Sequence, residues 1–276
     1  MSNDLSSQAV SDLQPPRPSV VAAIASLPLA PGMRLLDAGC GDGGPLGLLA
    51  AAVAPGGEVI GFDQDRDSLE AAAARHNELI QAGSVWLEAG DLLALPFADS
   101  ELDGVWMSSV LHHIERPVAA LAELARVVRP GGFVAVLDGD DSGSFPLLPW
   151  EPAFEQRLRT AAARAAAEQY GGTLDYYFDG YIGRHLLRLA REAGLTDIRL
   201  QAFTDVDRSP LPPARETALR EWFLRWFEGR VRDYLAPVDH ARFTALFDPG
   251  LPDYVFASPD FFMVRTSLLA VGQVAS

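Results

Sequence analysis

Short apolar runs alternate with stretches of helical periodicity from residue 17 to residue 137. The runs at 34–38, 58–62, 85–88, 104–110 and 133–137 predict buried strands, and the stretches at 46–54, 68–81 and 118–128 predict helices. Pro55-Gly56-Gly57, Gly83 and Arg129-Pro130-Gly131-Gly132 close the three helices. Strands alternating with helices of this length predict right-handed βαβ units on a parallel sheet. The rhythm then breaks. Residues 139–185 read as an insertion with a helix at 153–169 and an aromatic cluster, Tyr176, Tyr177, Phe178 and Tyr181. A helix at 184–193, a sixth strand at 196–203 and a last strand at 261–271 follow. Between the last two strands, 214–235 places Leu219, Trp222, Phe223, Trp226, Phe227 and Tyr234 on one helix face. The division expected is therefore a mobile tail at 1–16, a core at 17–138, an insertion or lid at 139–185, and a completion of the sheet at 186–276 with a second lid helix at about 214–235.

Composition narrows this picture. The 276 residues are 49% hydrophobic and 21% charged, which fits a chain that folds around a core. The longest uncharged apolar run, 46–54, is far short of the roughly 20 residues that span a bilayer. The polar N-terminus lacks a basic stretch before an apolar one, and the single cysteine, Cys40, excludes an internal disulfide or a cysteine-built metal site. A cytoplasmic protein is expected, without membrane association. The net charge is −15, and every basic residue is arginine. No basic footprint for a phosphate backbone is present, so nucleic acid is not expected as a partner. Residues 37–103 hold 13 acids against Arg66 and Arg75 alone, which reads first as a solvated acidic surface and otherwise as a half that prefers cationic or neutral ligands over polyanions. Most aromatic residues, and every tyrosine, lie after residue 140, a distribution that suits either core packing or an aromatic ligand pocket.

The stretch Leu35-Leu36-Asp37-Ala38-Gly39-Cys40-Gly41-Asp42-Gly43-Gly44 ends the first strand and opens the first helix. Alternate glycines let the backbone turn tightly beside a ligand at the sheet's carboxyl edge. Two readings fit it. Gly39, Gly41 and Gly44 match G-x-G-x-x-G of dinucleotide binders, and Asp37 with Gly39, Gly41 and Gly43 matches D-x-G-x-G-x-G of S-adenosylmethionine binders. Asp63 at the end of the second strand suits ribose hydroxyls in either case. Asp91 after the third strand discriminates, because a dinucleotide site gives it no role.

With these blocks in view, residues 17–138 resemble the class I S-adenosylmethionine-dependent methyltransferases of quinone biosynthesis and natural-product pathways, with a looser match through 184–203. The blocks that carry the resemblance are Leu36 to Gly43, Gly61-Phe62-Asp63, Gly90-Asp91 through Phe97 with Leu102-Asp103, Val110-Leu111-His112-His113, and Leu124 to Gly132. Asp42 departs from the pattern, standing where threonine or serine is common, and the N-terminal substrate helices are reduced. The resemblance implies a Rossmann-like, doubly wound α/β fold: a mostly parallel seven-stranded sheet, helices on both faces, an antiparallel last strand and a helical aromatic-rich lid. It implies S-adenosylmethionine as cofactor and S-adenosylhomocysteine as product. Asp37, Gly39, Cys40, Gly41, Asp63, Gln64, Asp91, Leu92 and Ser108 are the cofactor-binding residues it implies. Asp37 either orients the glycine loop or meets the methionine amino group, and Asp91 either faces the adenine amino group or caps a turn.

For the chemical step, a neutral imidazole could take the proton released when a hydroxyl or amine is methylated. His113 is the first candidate and His112 the second, since adjacent residues cannot both face the site; the other reading is a histidine that packs under the loop by a ring hydrogen bond. Asp138, Asp140 and Asp141 could hold a divalent ion, act as the base or simply form an acidic turn; the turn is favoured and no metal is expected. Tyr176, Tyr177, Tyr181, Trp222 and Trp226 are the candidate acceptor contacts under a lid. The function expected is methyl transfer to an O, N or C atom of a small, aromatic or polycyclic acceptor. The alternatives are a methyltransferase-like protein that binds the cofactor without transfer, such as a cyclase, or a nicotinamide-dependent oxidoreductase. A homodimer is left open.

Overall fold

A computed structural model describes residues 16–140, 148–169 and 179–275. The tail at 1–15 and the tyrosines 170, 176 and 177 lie outside the described residues. The chain forms two compact units: Met1–Gly143, Phe178–Phe203 and Thr266–Ser276 in the first, and Ser144–Tyr177 with Thr204–Arg265 in the second.

The first unit is built on a seven-stranded sheet. Its strands are β1 (Arg34–Ala38), β2 (Glu58–Asp63), β3 (Val85–Ala89), β4 (Leu102–Ser108), β5 (Val128–Asp138), β6 (Leu195–Arg208, counted in this unit up to Phe203) and β7 (Phe262–Val274, counted in this unit from Thr266). They lie in the order β3-β2-β1-β4-β5-β7-β6. The first five are parallel and β7 runs antiparallel to β5, as the resemblance implied. The reversal of strand order between β1 and β4 makes the carboxyl edge there a topological switch point, where open α/β sheets bind ligands.

Successive residues of each strand alternate between two cores, as the period of two demands. Leu36, Val105, Met107, Val134 and Val136 join one core, which α5 (Pro117–Val127) and α7 (Leu186–Glu192) cover with Leu121, Leu124, Leu186 and Leu189. Leu35, Val59, Trp106, Ala135 and Leu137 join the other. That face is covered by α1 (Pro18–Ala25), α2 (Leu46–Val53) and α3 (Arg66–Arg75) through residues such as Ile24, Leu49 and Leu69. Burying each such Leu or Ile contributes about 1.5–3 kcal/mol, so both faces hold their helices by the same means.

One predicted helix divides. The 68–81 stretch is α3 followed by α4 (Asn77–Gln81), with His76 at φ −114° and ψ 22° between them. There the His76 Nε2 ring nitrogen donates to the Gly43 carbonyl at 2.7 Å, an interaction that a continuous helix would aim elsewhere.

The second unit contains α6 (Pro152–Gln169), α8 (Pro213–Trp226) and α9 (Pro237–Leu246). The apolar face read across 214–235 belongs to α8 only as far as Trp226; a π-helical turn, Phe227–Val231, and a 3-10 turn, Arg232–Tyr234, complete it. Leu219, Phe223 and Phe227 are buried among Phe154, Phe243, Phe247, Phe256 and Phe261. Phe227 stacks on Phe243 at 4.0 Å, and Arg157 forms a bidentate pair with the buried Asp239 at 2.7 and 2.9 Å. Trp222 and Trp226 pack half-buried against that same core.

Candidate active site

The carboxyl ends of β1, β2, β4 and β5 bring four of the expected residues to one edge. After Ala38 the chain turns at Gly39, whose φ of +75° an L side chain rarely adopts. A Cβ there would lie 2.5 Å from Val110 Cγ2, so both conformation and space require glycine. The Gly39 and Cys40 amides donate to the Phe62 carbonyl at 2.8 and 3.1 Å, which pins the loop to the end of β2.

Asp63 then organises what lies between. Its Oδ2 accepts the Gly41 amide at 2.8 Å and its Oδ1 accepts the Asp65 amide at 3.0 Å. A carboxylate has about four acceptor positions, so two remain for a ligand's hydroxyls. Arg75 from α3 pairs with Asp42 at 2.8 Å, so the aspartate that departs from the family pattern is neutralised by a scaffold arginine. Together with His76 on Gly43, this ties the glycine loop to α3. Nothing in a motif announces Arg75 or His76, which simply follow the run of alanines at 71–74.

Asp37 is different. It is 1% exposed, its Oδ2 has no hydrogen-bond partner, and burial pushes its carboxyl up to about 8, with Asp63 and Asp42 adding to the rise. An orphaned buried carboxyl beside two further carboxylates is a place for a cation. Cys40 is buried too, its thiol held in the neutral form by desolvation first and by the Asp37 charge next. It cannot serve as a nucleophile.

Gln64 is exposed after β2, and Leu92 packs half-buried against the first core. Asp91 is exposed, and its Oδ1 accepts the Leu93 amide at 2.8 Å, so the turn-capping role is present. Ser108 ends β4 half-buried, and Ser109 follows at φ +58° with its amide on the Leu137 carbonyl.

The histidine pair sits in a 3-10 turn, Leu111–His113, directly after β4. His112 Nδ1 lies 2.8 Å from Oδ1 of Asp138, the buried last residue of β5, and the His112 amide donates to Asp138 Oδ2 at 3.3 Å. That carboxylate makes Nδ1 the protonated nitrogen and leaves Nε2 as an acceptor. The His113 ring lies against the His112 ring, tilted by 51° with the centroids 4.1 Å apart. The arrangement is a base held by an orienting acid. Asp140 is engaged elsewhere, in a bidentate pair with Arg184 at 2.7 and 2.8 Å. Asp141 lies outside the described residues. Tyr181 lies under the Arg184 guanidinium at 4.8 Å.

A family model described as a methyltransferase domain matches residues 36–136, from the glycine loop into β5. The 27-O-demethylrifamycin SV methyltransferase of Amycolatopsis mediterranei is 31% identical over 220 residues, 79% of this chain and 70% of that protein. The 2-phytyl-1,4-naphtoquinone methyltransferase of Synechocystis is 40% identical over 117 residues, covering 42% of this chain and 49% of its own length. The match spans about half the length of the first curated relatives. Among solved structures, the [4+2]-cyclase SpnF shares the fold at a TM-score of 0.53 and 20% identity, over 93% of this chain and 80% of that one. Among the described residues, no helix is long and apolar enough to cross a membrane.

Proposed function

The chain belongs to the class I S-adenosylmethionine-dependent methyltransferases, and from that premise we propose that it methylates a small cyclic or aromatic molecule, with His112 as the base that receives the acceptor's proton. The observation that carries the cofactor half is the buried Asp37 with its orphaned Oδ2 beside Asp63 and Asp42. These residues fit the cofactor: a cationic amino group would satisfy Asp37, and Asp63 has acceptor capacity left for two ribose hydroxyls. Asp91, Leu92 and Ser108 are assigned to the adenine and methionine ends on the strength of their positions after β3 and β4.

When bound, S-adenosylmethionine supplies a methyl already activated by a positive sulfur. The protein's work is therefore to position and to move a proton. Asp138 fixes the His112 tautomer so that Nε2 can accept, and the charge that develops on the imidazole is balanced by the same carboxylate. Such a base contributes about 10²–10⁴-fold in rate for a hydroxyl or amine acceptor. A cyclic acceptor is supported by the two methyltransferase relatives, whose names specify a naphthoquinone and a rifamycin.

The test is transfer of labelled methyl from S-adenosylmethionine to a panel of phenols, naphthohydroquinones and macrocyclic hydroxy compounds. Product formation that falls about hundredfold in His112→Asn supports the proposal. Tight cofactor binding with no transfer to any class would favour a protein that keeps the ligand without moving the methyl, and NAD binding in place of S-adenosylhomocysteine would overturn the cofactor assignment.

A further inference from the structure

Where the chain returns to the first unit at residue 179, five polar contacts fasten it to the ends of β4 and β5. The Asp179 amide donates to the His112 carbonyl at 2.7 Å, and the Gly183 amide donates to the Gly139 carbonyl at 3.0 Å. The Arg184 amide donates to Asp140 Oδ2 at 3.2 Å, and its guanidinium grips the same carboxylate through Nε at 2.7 Å and Nη2 at 2.8 Å. Asp179 also caps its own turn, Oδ1 accepting the Tyr181 amide at 2.9 Å. The approach is close: a Cβ on Gly183 would lie 2.6 Å from the Gly139 carbonyl oxygen and 3.0 Å from Asp140 Cβ. Only a glycine lets the backbones meet.

We infer that residues 179–184 form a positioning strap for the His112–Asp138 pair, with Arg184 as its fastening and Gly183 as its close-contact point. The inference rests on the reading of His112 as base. The geometry gives the reason. Asp138 must keep its Oδ1 on His112 Nδ1 while also accepting the Gly139 amide at 2.8 Å, so any rotation of the Gly139 peptide disturbs the carboxylate. Gly139 is flexible by nature, and its carbonyl is held by Gly183. On the other side of the pair, the His112 carbonyl is held by Asp179. The strap thus grips both the residue that carries the ring and the residue next to the carboxylate. Arg184 is half-exposed, and the carboxylate it grips, Asp140, lies two residues beyond Asp138 in the chain. It is a positioning residue. Its bidentate fork fixes an orientation that a single-point ammonium would not.

The experiment uses the full chain, and the exchange and resonance measurements need no acceptor. In Arg184→Met, amide exchange at Asp179 and Gly183 should quicken by tenfold or more, while Val105 on the central strand β4 stays protected. The low-field His112 Nδ1 proton resonance should broaden or vanish, and Arg184→Lys should restore it only in part. Gly183→Ala reaches the same strap by steric means, and covers the case in which the charge variant fails to fold. S-adenosylhomocysteine affinity should stay within twofold in both. An unchanged Nδ1 resonance with slow Asp179 exchange in both variants would overturn the strap. A lost resonance in the strap variants, beside a His112→Asn protein that still transfers methyl at the wild-type rate to 2-methyl-1,4-naphthohydroquinone, would uphold the strap and remove the base reading on which its purpose depends.

Discussion

Replacing Asp37 by asparagine keeps its shape and removes one ionisable proton from a side chain that is 1% exposed. Burial, with Asp63 and Asp42 nearby, lifts that carboxyl from 3.8 to about 8. Between these values the native protein retains a proton that the unfolded chain gives up. Stability therefore falls as pH rises, by at most about 1.4 kcal/mol per unit, and the loss is complete once pH passes the folded value. Buried carboxyls shift by up to about 3–5 units, so the whole window is worth several kcal/mol at most. The asparagine variant lacks this slope, and its advantage over wild type should widen from about pH 4 to about pH 8 and then level off. Urea denaturation at one-unit steps reads the difference. Binding supplies the second half. A cationic amino group stabilises the ionised carboxyl, so S-adenosylhomocysteine should displace close to one proton near neutral pH, measurable by calorimetry in buffers of different ionisation enthalpy. The variant should displace none and bind about tenfold more weakly or worse, as expected for a lost charged hydrogen bond. Parallel stability curves for the two proteins would refute the burial argument. Proton-free binding at undiminished affinity in Asp37→Asn would refute the pairing.

Asp63→Ala should weaken S-adenosylhomocysteine binding by about 2 kcal/mol, roughly 30-fold, and also lower the melting temperature by a few degrees, because the Gly41 and Asp65 amides lose their acceptor; calorimetry and a thermal melt measure the two. Gly39→Ala should destabilise the fold by about 1–3 kcal/mol through its φ of +75° and the collision with Val110, and a melt within a degree of wild type would contradict that. His112→Asn and Asp138→Asn should each reduce methyl transfer to a hydroxyl acceptor by about hundredfold, with cofactor affinity unchanged by equilibrium dialysis. Equal losses of binding and turnover would assign the pair to scaffolding.

The strands and the glycine loop were legible because both obey local rules: a period of two, a period of 3.6, and turns that demand glycine. The site pairing was half legible. His112 and Asp138 are each visible as candidates, and the parallel register of Ser108 with Leu137 brings the residues after β4 beside the end of β5. That register, which no local pattern carries, is what selects His112 over His113 for the carboxylate. The break at His76 was hidden for a related reason. Its cause is a contact with Gly43, 33 residues away, that outweighs helix propensity. In the second unit the apolar face of α8 was visible, but not its partners. Phe243 and Phe247 on α9 and Phe154 on α6 cover it, and helical periodicity says that a face is covered without saying by what.

The distribution of arginines sorts the acids at the carboxyl edge by role. Asp42 is neutralised by Arg75 and Asp140 by Arg184, and both pairs fasten one segment of backbone to another. Among the described residues no arginine pairs with Asp37, Asp63 or Asp138; Asp63 takes only backbone amides, and Asp138 takes amides and His112. The unpaired set is where charge has been left for something else. A pyrophosphate brought within about 5 Å of such a carboxylate would meet a repulsion of about 3 kcal/mol at an effective dielectric of about 20, and Asp63 stands at the glycine loop. Asp37, pushed up to about 8, gives up its proton for a cation and not for an anion. An amino group and a sulfonium gain from the same field, and an imidazolium forming on His112 gains from Asp138. The acidity that first reads as a solvated surface is thus divided by its counter-ions into scaffold and site, and the site half selects a cationic cofactor against an anionic one before any shape is considered.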